Sequence, residues 1–130
     1  MNQGRVGGWF SVPRPHPEGR GRLFCFPYAG SGASCYYQWS RMLADESIEV
    51  RSAQLPGREN RLREAPLTSM MVLVASLADQ MEEFLDQPYG FFGHSMGALV
   101  AFELARELRQ RGHDGPAFLF ASGASAPQVP

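Results

Sequence analysis

The pentapeptide Gly-His-Ser-Met-Gly at residues 93–97 constrains the fold of this chain more than any other segment. It lies between an apolar run at residues 89–92, typical of a buried strand, and residues 98–111, which have the composition of a helix. A strand that turns directly into a helix forces the residue at the turn to a positive φ, and flanking glycines leave room for the neighbouring strand and helix. We therefore predict a nucleophile elbow that projects the hydroxyl of Ser95 from the edge of a sheet.

The helix that begins after Ser95 bears on the chemistry at this serine. Its first N–H groups lack partners within the helix, and the positive end of its dipole lies beside the hydroxyl. An oxyanion formed during acyl transfer would be stabilised there, and the backbone N–H of Met96 is the expected donor. A similar pattern begins at Gly32-Ala33-Ser34 and at Gly123-Ala124-Ser125, but neither segment has the closing glycine or a comparable helix after it. Ser95 is thus the candidate catalytic nucleophile.

Predicted strands and helices alternate along the chain. Strands are expected at residues 22–26, 48–54, 89–92 and 117–121, with helices at residues 34–43, from Thr68 onward, and at 98–111. This alternation predicts an α/β fold, a doubly wound and mostly parallel sheet with helices on both faces in three αβα layers. Residues 1–21, rich in Gly, Pro and Arg, are expected to form a lead-in with one short edge strand, and residues 22–130 the domain proper.

The segment between the second and third strands carries two contrasting patterns. Thr68 is the expected N-cap of a helix whose apolar face recurs at steps of three and four residues. The members of this stripe are Met70, Val74, Leu77, Met81 and Leu85. Before it, Arg51, Arg58, Arg61 and Arg63 interleave with Glu59 and Glu64, a pattern that indicates a solvated loop.

Loops that follow parallel strands meet at one rim of the sheet, and this rim is where ligands bind. Residues 27–32, residues 55–58 and Ser95 are expected to share it. The Tyr-Ala-Gly-Ser-Gly loop at residues 28–32 lacks the third glycine and the later acidic residue of a dinucleotide fingerprint. A second oxyanion donor suits it better, with the backbone N–H of Ala29 favoured over that of Tyr28. A purely structural turn stays open as an alternative.

A serine nucleophile needs a base and an orienting carboxylate, which this chain does not place near it. The side chain of His94 points away from that of its neighbour, His16 lies in the lead-in, and His113 follows the far end of the helix. Asp86 and Asp114 are expected at the opposite edge of the sheet. In hydrolases of the order Ser, Asp or Glu, His, the last two members follow later strands, so we expect them outside this chain.

The composition excludes several classes of function. The chain has 130 residues, 44% of them hydrophobic, and a net charge of −1, which leaves no strong field for nucleic acid or an anionic membrane. Its longest uncharged apolar stretch, residues 65–78, is shorter than the ~20 residues of a membrane helix. Cys25 and Cys35 have neither metal-ligand nor redox spacing, so no metal or other cofactor and a cytoplasmic location are expected.

Several motifs in the same order resemble those of the type II thioesterases, members of the α/β-hydrolase superfamily. Residues 23–30 are similar to the family's first strand and oxyanion loop, and Trp39 to a tryptophan on the helix that follows. Residues 54–61, residues 93–97 and the segment from Ser122 to Pro127 are similar to its later motifs. Ser31 departs from the pattern, since a second glycine is common there. The resemblance covers only the N-terminal half of the family's domain.

The resemblance implies an editing enzyme of polyketide and nonribosomal peptide synthesis. It would hydrolyse acyl groups from the phosphopantetheine thioester of an acyl or peptidyl carrier protein, and the phosphopantetheine would belong to that partner. The catalytic Asp and His would lie in the half that the resemblance does not cover, so we expect a truncated copy with negligible activity alone. A non-catalytic interaction module, or another serine hydrolase or acyltransferase with this elbow, remains an alternative.

Overall fold

A computed structural model describes residues 9–28, 32–55 and 69–123 of the chain. Five strands form one sheet in the order β1-β3-β2-β4-β5. The strands are β1 (Phe10–Ser11), β2 (Gly21–Phe26), β3 (Ile48–Ala53), β4 (Tyr89–His94) and β5 (Leu119–Ser122). The helices are α1 (Tyr37–Ala44), α2 (Met70–Met81) and α3 (Met96–Gln110), with short 3₁₀ turns at Ala33–Tyr36 and Glu82–Phe84.

The sheet is parallel except at β1, which pairs antiparallel with β3. From β2 the chain crosses through α1 to β3 on one side, and it then crosses through α2 and α3 to β4 and β5 on the other. Right-handed crossovers in opposite directions place their helices on opposite faces of the sheet. The doubly wound α/β arrangement predicted from the alternation is therefore confirmed, as is the short edge strand in the lead-in.

Two apolar clusters, one on each face of the sheet, show how the helices divide. Side chains of α2 and α3 pack on Phe24, Phe26 and Phe91, whose rings meet edge to face at centroid distances of 5.2–6.0 Å. On the other face Trp39 packs on Phe92, together with the rest of α1 and its 3₁₀ turn. Alternate residues of each central strand thus bury opposite faces, as expected of a sheet covered on both sides.

Three details of the sequence-based prediction are wrong. The N-cap of α2 is Ser69 rather than Thr68, because the Ser69 side chain accepts a hydrogen bond from the N–H of Val72 at 3.3 Å. Leu85 lies beyond the end of α2, although it still packs against the core. Arg51 belongs to β3 and is largely buried, so it is not part of a solvated loop; the other arginines of that cluster lie outside the described residues.

Arg51 belongs to a buried ionic cluster centred on Glu49, a residue only 1% exposed. Arg51 and Arg22 donate hydrogen bonds to Glu49 Oε1 at 2.6 and 3.1 Å, and the His16 backbone N–H donates to Oε2 at 2.7 Å. Burial alone would raise the pKa of this carboxyl, but the His16 N–H and the Arg51 guanidinium hold it below its usual value. The cluster joins the lead-in to β2 and β3.

None of the helices in residues 9–28, 32–55 and 69–123 has the length and apolar character of a membrane-spanning segment.

Candidate active site

Ser95 occupies the junction between β4 and α3. The strand ends at His94, the helix begins at Met96, and Ser95 between them has φ 58° and ψ −120°. Few residues with a side chain adopt such a conformation, and those that do are concentrated at functional sites. Ser95 is partly exposed rather than buried under neighbouring side chains. The strand, sharp turn and helix predicted from residues 93–97 are all present.

Gly93 and Gly97 leave the space that this turn needs. A Cβ on Gly93 would overlap the carbonyl of Gly97 at the start of α3. A Cβ on Gly97 would overlap the carbonyl of Phe26 at the end of β2 and approach the Pro27 carbonyl to 2.8 Å. The missing side chain at Gly93 thus lets β4 pack closely against α3. The missing side chain at Gly97 lets α3 pack closely against β2. Both collisions fall on backbone atoms, which cannot rotate away as a side chain can.

The turn is also tied to the outer strand of the sheet. The backbone N–H of Ser95 donates a 2.7 Å hydrogen bond to the carbonyl of Ser122 in β5. The carbonyl of Ser95 accepts from the N–H of Ala98 at 2.9 Å, which starts the helix. The backbone at the nucleophile is therefore fixed on both sides, and its strained conformation is held by bonds in two elements.

Met96 is the first residue of α3, and its N–H belongs to the terminal group that has no acceptor within the helix. Its place directly after Ser95 is the one that the predicted oxyanion donor requires. Ala29, the other predicted donor, lies outside the described residues. The role of both N–H groups stays a prediction.

Two hydrogen bonds that the sequence did not reveal hold described residues on either side of Ala29 in sequence. The Tyr36 hydroxyl donates to the Phe26 carbonyl at 2.8 Å, at the end of β2. The N–H of Ala33 donates to the side-chain Oε1 of Gln54 at 2.8 Å, and Gln54 is 2% exposed. The two bonds thus fix the backbone at Phe26 and at Ala33, which precede and follow residues 29–31 in sequence. Their partners are 10 and 21 residues apart in sequence, and no local pattern predicts such pairs.

None of the three histidines donates to or accepts from the Ser95 hydroxyl within the described part of the chain. His94 Nδ1 lies 3.2 Å from the Ser122 hydroxyl, and its ring meets that of Tyr28 edge to face. His113 pairs with Glu82 at 2.9 Å, beyond the opposite end of α3. His94 therefore borders the rim without acting on the neighbouring serine, as its position in the strand predicted.

The remaining groups of interest lie away from this rim. Asp86 pairs with Arg22 at 2.6 Å, where the strands begin, which confirms its placement at the opposite edge. Cys25 is fully buried, and burial raises the pKa of its thiol far above the usual range, so it is an inert part of the core. Among residues 9–28, 32–55 and 69–123, no group of His, Cys, Asp and Glu is arranged to hold a metal ion.

Comparison with known proteins matches the sequence of this chain to one family. Residues 21–130 match the family described as Thioesterase domain. The gramicidin S biosynthesis protein GrsT of Aneurinibacillus migulanus is 48% identical over 126 residues, which are 97% of this chain and 49% of GrsT.

Solved structures agree with the sequence match. RedJ, a thioesterase from the prodiginine biosynthetic pathway in Streptomyces coelicolor, has a TM-score of 0.81 and 46% identity, covering 90% of this chain and 47% of RedJ. YbtT, a type II thioesterase from the yersiniabactin NRPS/PKS biosynthetic pathway, has a TM-score of 0.77 and 34% identity, covering 92% of this chain and 49% of YbtT. The chain therefore spans about half the length of the relatives that it matches.

Proposed function

Because the chain belongs to the thioesterase family, we propose that it supplies the nucleophile and the oxyanion hole of a type II thioesterase. The substrates would be acyl groups held as thioesters on the phosphopantetheine arm of acyl or peptidyl carrier proteins. The pathway would be polyketide or nonribosomal peptide synthesis, where the enzyme removes stalled acyl chains. YbtT is named for an NRPS/PKS pathway, and GrsT and RedJ are named for gramicidin S and prodiginine biosynthesis, which supports this assignment.

The observation that carries the proposal is the backbone of Ser95, held at φ 58° at the N-terminus of α3. In the first step the Ser95 oxygen bonds to the thioester carbonyl carbon and its proton passes to a base. The carbonyl oxygen becomes an oxyanion, facing the N–H groups of Met96 and Ala29. When the intermediate collapses, the carbon–sulfur bond breaks and the pantetheine thiol leaves with the proton. Water then hydrolyses the acyl-serine, releasing a free acid and restoring the hydroxyl.

The 130-residue chain alone is expected to turn over very slowly. The described histidines have other partners or lie far from Ser95, so the base and its carboxylate would come from polypeptide outside this match. Loss of the base from a serine triad lowers turnover by up to about 10⁶-fold, whereas the oxyanion hole and substrate binding alone retain about 10³ to 10⁴ over water. Without the base both acylation of Ser95 and release of the acyl group would be slow, so an adduct that accumulates slowly at Ser95 is a better readout for this chain than turnover.

The proposal needs no resident cofactor, since the phosphopantetheine arm arrives with the carrier protein. The partner is that carrier protein, rather than nucleic acid or a membrane. A cytoplasmic location follows from the proposed role, because carrier proteins are loaded and extended there.

A fluorophosphonate probe tests the nucleophile directly. The probe should add once to the chain, at Ser95, as read by intact mass and peptide mapping. Ser95→Ala should abolish the adduct. Ser34→Ala is the matched control. This exposed serine also lies two residues after a glycine, but its φ is not in the strained positive region and no long helix begins at it. Labelling that persists in Ser95→Ala would contradict the proposal.

Carrier-protein specificity needs a second measurement. An acyl-phosphopantetheine carrier protein incubated with the chain should transfer its acyl group to Ser95, giving an acyl-protein adduct that Ser95→Ala lacks. Acyl-coenzyme A at equal concentration should react more slowly, since it lacks the protein surface of the carrier. Probe labelling without any acyl transfer from the carrier would favour another serine hydrolase. No reaction with either reagent, even after a segment of RedJ comprising the residues after its matched region is supplied, would favour a non-catalytic module.

A further inference from the structure

The exposed imidazole of His94 contacts two other segments that end at the same rim as Ser95. His94 is the last residue of β4 and is in register with Ser122, the last residue of β5. Its Nδ1 lies 3.2 Å from the Ser122 hydroxyl, and its ring meets that of Tyr28 with centroids 5.8 Å apart. One side chain therefore joins the carboxyl ends of β4 and β5 to the residue two positions after β2.

The alternation of side chains along β4 explains why His94 reaches these partners rather than the serine hydroxyl. Gly93 faces α3, since a Cβ there would overlap the first turn of that helix. His94 then projects to the opposite face, on which Phe92, two residues earlier, packs with α1. Ser122 shares this face, because residues in register on neighbouring strands project in the same direction. His94 can therefore influence Ser95 only through other residues.

Gly123, which directly follows β5, leaves space for the imidazole. A Cβ on Gly123 would overlap the His94 ring, and the φ of this glycine is 70°. Nδ1, the ring atom that faces Ser122, is among the atoms that such a Cβ would approach. A positive φ and a missing side chain beside the same ring indicate that the backbone at the end of β5 is fitted to His94.

Ser122 connects the imidazole to the backbone of the nucleophile. Its hydroxyl faces His94 Nδ1, while its carbonyl accepts the N–H of Ser95 at 2.7 Å. A displacement of β5 that separates the hydroxyl from the ring also moves this carbonyl. Because a hydroxyl can either donate or accept, it can pair with a neutral or a protonated imidazole. The contact therefore persists when the ring changes charge.

Tyr28 connects the imidazole to the other predicted part of the site. It directly precedes Ala29, whose N–H is the predicted second oxyanion donor. The planes of the Tyr28 and His94 rings are 87° apart, the edge-to-face arrangement that aromatic pairs favour. The Tyr28 side chain is 44% exposed, so this ring contact is a substantial part of what can hold its orientation.

We propose that His94 is a positioning residue of the thioesterase site. Through Ser122 it fixes the end of β5 against the turn at Ser95, and through Tyr28 it fixes the residue before the predicted donor. It takes no proton from Ser95. The inference rests on the proposed function and deepens it, because an acyl carbonyl can meet the nucleophile and both N–H groups only if their separation is fixed.

Substitutions at His94 separate its two contacts. His94→Ala removes both and should slow fluorophosphonate labelling of Ser95 by about 5- to 30-fold, the factor expected for one exposed hydrogen bond and one aromatic contact. His94→Asn keeps a polar group near Ser122, and His94→Phe keeps a ring near Tyr28, so both variants should label at intermediate rates. His113→Ala is the matched control, since this histidine pairs with a carboxylate beyond the opposite end of α3 and should leave the rate unchanged.

A double substitution and a pH series distinguish positioning from general base catalysis. Ser122→Ala removes the hydroxyl but keeps the carbonyl, and it should slow labelling in the unsubstituted chain but not in His94→Phe. The ratio of labelling rates between the unsubstituted chain and His94→Ala should stay constant between about pH 5 and 8, where imidazoles change charge. A ratio that falls toward one at low pH would show that His94 acts as a base and would overturn the proposal.

Hydrogen exchange at the Ser95 amide tests the connection through Ser122 without any reaction. His94→Phe and Ser122→Ala should speed this exchange by about 3- to 10-fold, the factor that one hydrogen bond contributes. His94→Asn and His113→Ala should leave it unchanged. Circular dichroism spectra identical to that of the unsubstituted chain would show that each variant is folded.

The outcomes separate this inference from the proposed function. Equal labelling rates in the unsubstituted chain and His94→Ala, or equal exchange at the Ser95 amide in the unsubstituted chain and His94→Phe, would overturn the positioning role and leave Ser95 as the nucleophile. Failure of the unsubstituted chain to label at Ser95 would overturn the proposed function and, with it, the role of His94.

Discussion

Replacing Ser95 with glycine should stabilise the folded chain while removing its nucleophile. The serine has φ 58° and ψ −120°, a conformation that glycine adopts without a steric penalty. Alanine keeps the Cβ and therefore keeps the strain. The comparison of Ser95→Gly with Ser95→Ala thus isolates the free energy stored in the backbone at the site from the loss of the hydroxyl.

The expected magnitude follows from two opposing contributions. A residue held in a sparsely populated region costs about 1–3 kcal/mol, which glycine would recover. Glycine also gives the unfolded chain more conformational freedom, which costs about 0.5–1 kcal/mol of stability. The net gain over Ser95→Ala should therefore be about 0–2.5 kcal/mol, with a central value of about 1 kcal/mol. For a domain of this size, 1 kcal/mol corresponds to a shift in Tm of about 2–8 °C.

Urea unfolding followed by circular dichroism measures this difference. The comparison requires that the unfolding free energies of both variants depend on urea concentration with the same slope. Ser47→Gly is the matched control, because Ser47 is a serine with a similar φ of 61° in the turn before β3. It should also gain stability but retain probe labelling at Ser95. If Ser95→Gly is less stable than Ser95→Ala, the strain at the nucleophile is not an energetic cost of this fold, and the reasoning fails.

Three further substitutions probe the surroundings of the elbow and the buried charge. Gly97→Ala should cost about 3 kcal/mol or more, because its methyl group overlaps the carbonyl of Phe26; an unchanged urea midpoint would argue against this close approach. Glu49→Gln should cost about 3 kcal/mol by leaving buried cations without their carboxylate. Because the folded-state pKa of Glu49 is lowered, its contribution is full above the ordinary pKa of 4.5 and is lost as pH falls through the folded-state pKa. The difference in unfolding midpoint between the two proteins should therefore shrink as the pH is lowered below 4.5. Gln54→Leu leaves the buried N–H of Ala33 without its acceptor, which should cost about 1–3 kcal/mol and slow probe labelling at Ser95; labelling at the original rate would show that this bond does not position the loop.

The sequence predicts those parts of the fold that depend on neighbouring residues. Alternating strands and helices, the glycine spacing around Ser95 and the stripe from Met70 to Met81 are local patterns, and each corresponds to an observed element. Ser69 displaces Thr68 as the N-cap because both residue types suit that position and only the path of the backbone decides between them.

Features that depend on distant partners were not predictable in this way. Arg51 looked like part of a charged loop because its partner Glu49 becomes buried only when β3 is covered on both faces. The hydrogen bonds of Tyr36 to Phe26 and of Ala33 to Gln54 also join residues far apart in sequence. The apolar groove between α1 and β5, lined by Trp39, Phe118 and Phe120, depends on which face of the sheet each helix covers, and this follows from strand order rather than from composition.

Ser122 has consequences beyond its place at the border of the sheet. Its carbonyl holds the amide of Ser95, and its hydroxyl lies beside the imidazole of His94. Fraying of β5 would therefore loosen the turn that holds the Ser95 hydroxyl. The orientation of the Ser95 hydroxyl is thereby coupled to the pairing of β5 with β4, since a β5 that separates from its neighbour leaves the serine on a less rigid backbone.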